Sequence, residues 1–255
     1  MCRGKQVIGA GFINRDLQRI AYTDNDRTNA TAPAKTAIER GGNIVVNQTR
    51  TAAVDVDNVE NCCIEADWLK EMVSCLAYDR TGIVGAKLLF ANDKMQHAGV
   101  VVGFGGLAGH WYMNKPKEFG GPMNRLHVRN TMTCVTGAVM LISGDCLRKI
   151  GLFDEENFAV AYNDVDYCLR AHKAGYRIVW TPFACLYHHE SLSRGSDKSG
   201  ERKKRFEQEK QNLRRLHATQ GFIDRALNPA YGRDKSDPKI VVPTQLHIPL
   251  MPDAV

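Results

Sequence analysis

The chain has 255 residues, of which 44% are hydrophobic and 24% are charged, and its formal net charge is +6. This composition suffices for one large buried core, which excludes a wholly disordered chain. The mild positive charge suits an anionic ligand or a membrane surface but requires neither.

Cysteine usage and hydropathy indicate the compartment. The eight cysteines stand singly, apart from the adjacent pair Cys62 and Cys63, and they form no CxxC motif. We therefore expect reduced thiols in a cytoplasmic protein rather than a disulfide framework. No apolar run approaches the length of about 18 residues that spans a membrane, and the first apolar segment is too short for a secretory signal. A peripheral contact at the inner face of the membrane is compatible with this pattern.

The first part of the chain predicts alternating strands and helices. Strands are predicted at residues 7–13, 20–24, 43–47, 52–58 and 82–90, with helices at 31–42 and 66–79. Strand, helix and strand at this spacing indicate a parallel layer of an α/β fold, mostly parallel and flanked by helices.

The second part predicts strands at 133–143 and 177–182, and helices at 144–151 and 200–217. The polar connection over residues 110–130 is longer than a plain loop usually is, so we expect it to carry function. The prolines after residue 217 favour an extended tail over 218–255. The motif GFGG at residues 103–106 is not followed by a helix pattern, which argues against a dinucleotide-binding loop.

Two acidic positions follow a predicted strand. Asp55 and Asp57 alternate with valines, so both carboxylates face the same side of the strand and can reach one divalent cation. Ligands of open α/β sheets gather at such carboxyl ends. A solvated turn after the strand explains the same two residues.

A second acidic pair stands at the start of a short helix that precedes the strand at 177–182. Asn163 is a good N-cap residue, and the helix dipole favours acids such as Asp164 and Asp166 in the first turn. Capping therefore explains them adequately. The same placement presents a carboxylate at the rim of a sheet, where it could take a proton from an incoming hydroxyl as a general base.

His188 and His189 stand directly after a strand end, and imidazole is a common metal ligand. Because adjacent side chains point to opposite sides, we expect at most one of the two to serve. The basic run at residues 202–205 is typical of a solvated helix face, with phosphate or lipid headgroup contact as the alternative. It has no aromatic stacking platform beside it, so we expect no nucleic-acid partner.

The order of these segments resembles a family 2 glycosyltransferase of the GT-A type, in particular the bacterial branch that builds rhamnose-containing or O-antigen-like polysaccharides. The resemblance is strongest from Asp67 to Gly195. It runs through ADWLKEM, GIVGAKLLF, MQHAGVVVG, GHWY, VTGAVMLIS, GLFDEENFAVAYNDVDYCLRAHKAGYRIVWTP and LYHHESLSRG. It implies a Rossmann-like GT-A domain over residues 1–217, with a nucleotide-binding part at 1–60 and an acceptor and catalytic part at 61–217.

The resemblance also implies a function. The chain would move a sugar, with inversion, from a nucleotide-diphosphate donor to a hydroxyl of a glycan or lipid-linked acceptor, assisted by Mn²⁺ or Mg²⁺. The catalytic base would be Asp164. The implied metal ligands are Asp55, Asp57, His188 and His189, and the implied substrate contacts are Asp24, Asp26, Trp111, Asp166 and Arg194.

Three differences from the family pattern bear on activity. The first strand and helix are compressed, the acidic metal motif could equally be read on Asp57 and Asn58, and Asn163 stands where the family usually has an acid. A non-catalytic relative that binds a glycan or a protein partner is therefore the alternative hypothesis.

Overall fold

The computed structural model describes residues 52–56 (backbone), 67–188, 200–228 and 230–232. The strands are β1 Ala52–Val56, β2 Thr81–Leu89, β3 Met95–His97, β4 Val100–Val102, β5 Ala108–His110, β6 Asn130–Met132, β7 Val139–Ser143 and β8 Arg177–Tyr187. The helices are α1 Trp68–Cys75, α2 Gly144–Ile150, α3 Asn163–Lys173 and α4 Gly200–His217, with 3₁₀ turns at Phe104–Gly106, Pro122–His127 and Thr219–Gly221. The strands and helix predicted before residue 51 lie outside the described residues.

The main sheet is mixed. Its order is β1-β7-β2-β8-β6, with β3 paired to β2 beside this path. In the described part of the sheet β2 and β8 are parallel neighbours, and the other paired strands are antiparallel. Because β7 runs antiparallel between β1 and β2, those two strands point the same way without touching. The parallel prediction thus holds for the direction of β1, β2 and β8, but the described sheet is not mostly parallel.

Helices cover both faces of the sheet. On one face α1 packs Trp68 and Met72 against apolar residues of β2, β7 and β8. The other face packs against α2, α3, α4 and the long connection. All nine residues of β2 are buried, which is why this strand reads as a continuous apolar run rather than an alternating one. Gly85 is required there, since a Cβ would lie 2.5 Å from Cβ of Val135.

The chain after α4 returns to the core. Asp224 accepts hydrogen bonds from the backbone N–H groups of Val102 and Ala226, both at 2.7 Å, and Leu227 is buried in the main core. We expected an extended tail from residue 218, but the packed part of the chain continues to at least residue 227. Within the described residues, no helix is long and apolar enough to cross a membrane.

Candidate functional site

The site lies at one rim of the main sheet, where the strands that run in the same direction end. The register pairs Val56, the last residue of β1, with Val139, the first residue of β7. On the neighbouring strands Leu89 of β2 is paired with Tyr187 of β8. The backbone N–H of His188 continues this pairing by donating to the carbonyl of Leu89 at 2.9 Å. The ends of β1, β2 and β8 and the start of β7 therefore form one edge.

Asp164 reaches this edge from the first turn of α3. Its Oδ2 accepts the backbone N–H of Gly137 at 3.0 Å, and its Oδ1 accepts the N–H of Val165 at 2.8 Å. Gly137 stands two residues before Val139, which pairs with the end of β1, so the carboxylate contacts the segment that leads into β7. The half-buried carboxylate is thus held by two backbone N–H groups, one from the segment before β7 and one from the first turn of α3.

The helix start differs by one residue from the prediction. The cap residue of α3 is Tyr162, not Asn163, and its backbone is left-handed with φ of 63°. Asn163 is the first helical residue, and its Oδ1 accepts the N–H of Asp164 at 2.8 Å. The left-handed backbone of Tyr162 is strained for a residue with a side chain, and strained backbone is common beside active sites.

The segment that holds Asp164 is itself held by histidines. The N–H of Thr136, next to Gly137, donates to Nε2 of His97 at 3.4 Å. Nδ1 of His97 lies 3.0 Å from Nδ1 of His110. Because Nε2 of His97 accepts a hydrogen bond, its Nδ1 carries the proton and donates to His110. Complete burial, together with the imidazoles of His110 and His188, holds the pKa of His97 well below its ordinary value of 6.5.

The imidazole of His188 is hydrogen-bonded to the side chain of Gln96. Its Nδ1 lies 2.9 Å from Oε1 of Gln96, while Nε2 of Gln96 lies 3.5 Å from the carbonyl of His188. These two contacts with one amide fix the orientation of the His188 imidazole at the end of β8. Among the described residues, no three histidine, cysteine, aspartate or glutamate side chains converge on one metal position.

Two residues expected to contact substrate are buried instead. Asp166 is 2% exposed, and its carboxylate is paired with Arg170 and His217, each at 2.8 Å. Trp111 is 1% exposed, and the guanidinium of Arg125 lies 4.5 Å from its ring centre. In this structure both side chains stabilise the packing behind the rim, so neither presents a surface to a sugar.

Of the remaining expected site residues, Asp55 lies in β1, whose backbone ends at this edge. The other positions lie outside the described residues: Asp24, Asp26, Asp57, His189 and Arg194.

Sequence reasoning missed Gln96 and His97 near the rim and Glu209, which binds the loop before α3. Gln96 and His97 lie in the motif MQHAGVVVG, whose pattern indicates an apolar segment and no site. Glu209 lies within a charged helix, and it is 3% exposed. The sequence does contain a pattern that indicates its burial: Phe206, Glu209 and Leu213 stand at helical spacing, which places Glu209 on the apolar side of α4.

Comparison with known proteins supports one family. The family model described as "Glycosyltransferase like family 2" matches residues 27–217. The protein y4gI of Sinorhizobium fredii, described as uncharacterized, is 40% identical over 195 residues, which is 76% of this chain and 22% of y4gI. The O-antigen biosynthesis protein RfbC of Myxococcus xanthus is 38% identical over 135 residues, which is 52% of this chain and 10% of RfbC.

The chain thus spans about a fifth of the length of y4gI and about a tenth of RfbC. The family match covers most of the chain and every element that forms the rim, from β1 to β8, as well as α4. This chain belongs to the family 2 glycosyltransferases.

Proposed function

We propose that the chain is an inverting glycosyltransferase that moves a sugar from a nucleoside diphosphate donor to a hydroxyl of a glycan or lipid-linked acceptor. The observation that carries this proposal is the position of Asp164, whose carboxylate contacts the segment at the start of β7. RfbC, a relative named for O-antigen biosynthesis, supports a polysaccharide acceptor.

The proposed step needs one base and one leaving group. The acceptor oxygen forms a bond to the anomeric carbon as the bond from that carbon to the diphosphate oxygen breaks. The hydroxyl proton passes to the carboxylate of Asp164, which acts as the general base. Attack from the face opposite the diphosphate inverts the anomeric centre. The backbone N–H groups of Gly137 and Val165 hold the carboxylate in place.

A divalent cation at the rim is part of the proposal. The imidazole of His188 is oriented there by Gln96, and β1 ends at the same edge with Asp55 in its last two residues. Together with Asp57 and His189, these residues would hold Mn²⁺ or Mg²⁺. Carboxylate oxygens suit both ions, and Mn²⁺ also accepts imidazole. When bound, the cation would neutralise charge on the leaving diphosphate.

Isothermal titration with UDP- and dTDP-sugars in the presence of Mn²⁺ tests the proposal. We expect at least one donor to bind and, in the absence of an acceptor, to be hydrolysed slowly by water. Absence of binding to every nucleotide sugar would contradict the proposal and leave the non-catalytic glycan- or protein-binding hypothesis.

A further inference from the structure

Helix α4 is packed against the loop that leads into α3. The side chain of Glu209, in the middle of α4, is 3% exposed. Its two carboxylate oxygens accept the backbone N–H groups of Val160 at 2.9 Å and Ala161 at 3.1 Å. Two consecutive N–H groups of a loop are thus bound by one buried carboxylate, which is a strong and directional arrangement.

Other side chains of α4 hold the same loop along its length. Nδ2 of Asn212 donates to the carbonyl of Asn157 at 3.0 Å. The ring of Phe206 stacks on Tyr162 with centroids 6.0 Å apart and an interplanar angle of 11°. Contacts before and after Glu209 therefore keep the loop and the helix in register.

The loop has little freedom between Glu209 and Asp164. Tyr162 follows Ala161 directly and has a left-handed backbone, and its carbonyl accepts the N–H of Asp166 at 2.9 Å. Asp164 comes two residues later. Because a residue with a side chain disfavours this backbone, the turn needs external support, and Glu209 provides it immediately before the turn.

We infer that Glu209 is a positioning residue that sets the path of residues 160–162 and thereby aims the carboxylate of Asp164 at the sheet rim. The inference rests on the proposed function in one respect, that Asp164 is the base. That Glu209 determines the placement of Asp164 does not depend on the proposed function. It follows from the hydrogen bonds that Glu209 accepts from Val160 and Ala161.

The chain offers a matched control for a purely stabilising role. Asp224 is also 3% exposed, and it also accepts two backbone N–H groups, from Val102 and Ala226. It also accepts the hydroxyl of Thr133 at 2.6 Å, so it holds the segment after α4 against β4 and the end of β6 rather than against the loop before α3. Glu209→Gln and Asp224→Asn each turn one acceptor oxygen into a donor that faces a backbone N–H, so both should destabilise the protein.

The test compares these two variants by steady-state kinetics and by the ¹³C carboxylate signal of Asp164. We expect Glu209→Gln to lower kcat roughly 10- to 100-fold with the donor KM unchanged and to shift the Asp164 signal. We expect Asp224→Asn to lower the urea midpoint while kcat and the Asp164 signal stay as in the parent protein. Should Glu209→Gln not fold, Glu209→Asp, which keeps both acceptor oxygens on a shorter side chain, replaces it with a smaller expected loss.

Equal kcat in the two variants, or an unmoved Asp164 signal in the Glu209 variant, would overturn the inference. If the parent protein transfers no sugar from any donor, the proposed function fails, but the carboxylate signal still decides the positioning role. A shift of the Asp164 carboxylate signal in the Glu209 variant, with no shift in the Asp224 variant, would then support the positioning role of Glu209.

Discussion

Replacement of His97 by glutamine should change how stability depends on pH. His97 is fully buried and its pKa lies well below 6.5 because the charged imidazole would lose its hydration there. In the unfolded chain the same side chain takes up a proton as the pH falls through its ordinary value. Below pH 6.5 the unfolded state therefore binds more protons than the folded state. The free energy of unfolding decreases as the pH is lowered.

The size of this effect follows from linkage. While the folded-state imidazole stays neutral, each pH unit below the ordinary pKa costs about 1.4 kcal/mol of unfolding free energy. The contribution is intact above pH 6.5 and is lost progressively between 6.5 and the lower pKa of the folded state. Between pH 7.5 and 5.5 the parent protein should therefore lose about 1.4 kcal/mol more than His97→Gln does.

Urea unfolding at a series of pH values measures the difference. His172→Gln, which removes an exposed imidazole from α3, is the matched control for the loss of one histidine. The quantity compared is the slope of the unfolding free energy against pH. A constant cost of burying glutamine shifts the whole curve and leaves this slope unchanged. Parallel curves for the parent protein and His97→Gln, or an NMR titration of His97 with a midpoint near 6.5, would refute the reasoning.

Two further substitutions test the rim and its support. Gly137→Ala would place a Cβ 3.3 Å from Cβ of Asp164, so we expect roughly 10-fold lower transfer activity, whereas Gly221→Ala, with no atom within 4 Å, should leave activity unchanged. Equal activity of the two would show that the contact is not critical. Asp166→Ala removes the buried carboxylate that pairs with the partly buried guanidinium of Arg170 and with the ring of His217, and it should lower the unfolding free energy by about 3 kcal/mol, measured with urea. An unchanged urea midpoint would contradict that account.

Local periodicity explains which elements could be predicted. The helix expected at residues 144–151 is found at 144–150, the helix at 200–217 is found unchanged, and the strand at 82–90 is found at 81–89. The position of Asp164 in the first turn of a helix also followed from local signals. These features depend on residues close in sequence, whose spacing a pattern records directly.

Pairings between distant residues could not be predicted in the same way. The antiparallel insertion of β7 between β1 and β2 depends on contacts across the whole domain, which no local period reports. Burial of Asp166 depends on His217, 51 residues away, although Arg170 at four positions along the helix was a visible signal of an ion pair. Three-residue strands such as β4 are too short to show an alternating pattern.

The most direct test of the central claim is the kinetics of Asp164→Asn. The account requires that transfer is abolished while the dissociation constant for the nucleotide-sugar donor, measured by calorimetry with Mn²⁺, stays nearly the same. Far-UV circular dichroism confirms that the variant is folded. Transfer at the rate of the parent protein would contradict the assignment of Asp164 as the base, and equal loss of transfer and donor binding would show that the residue serves the fold.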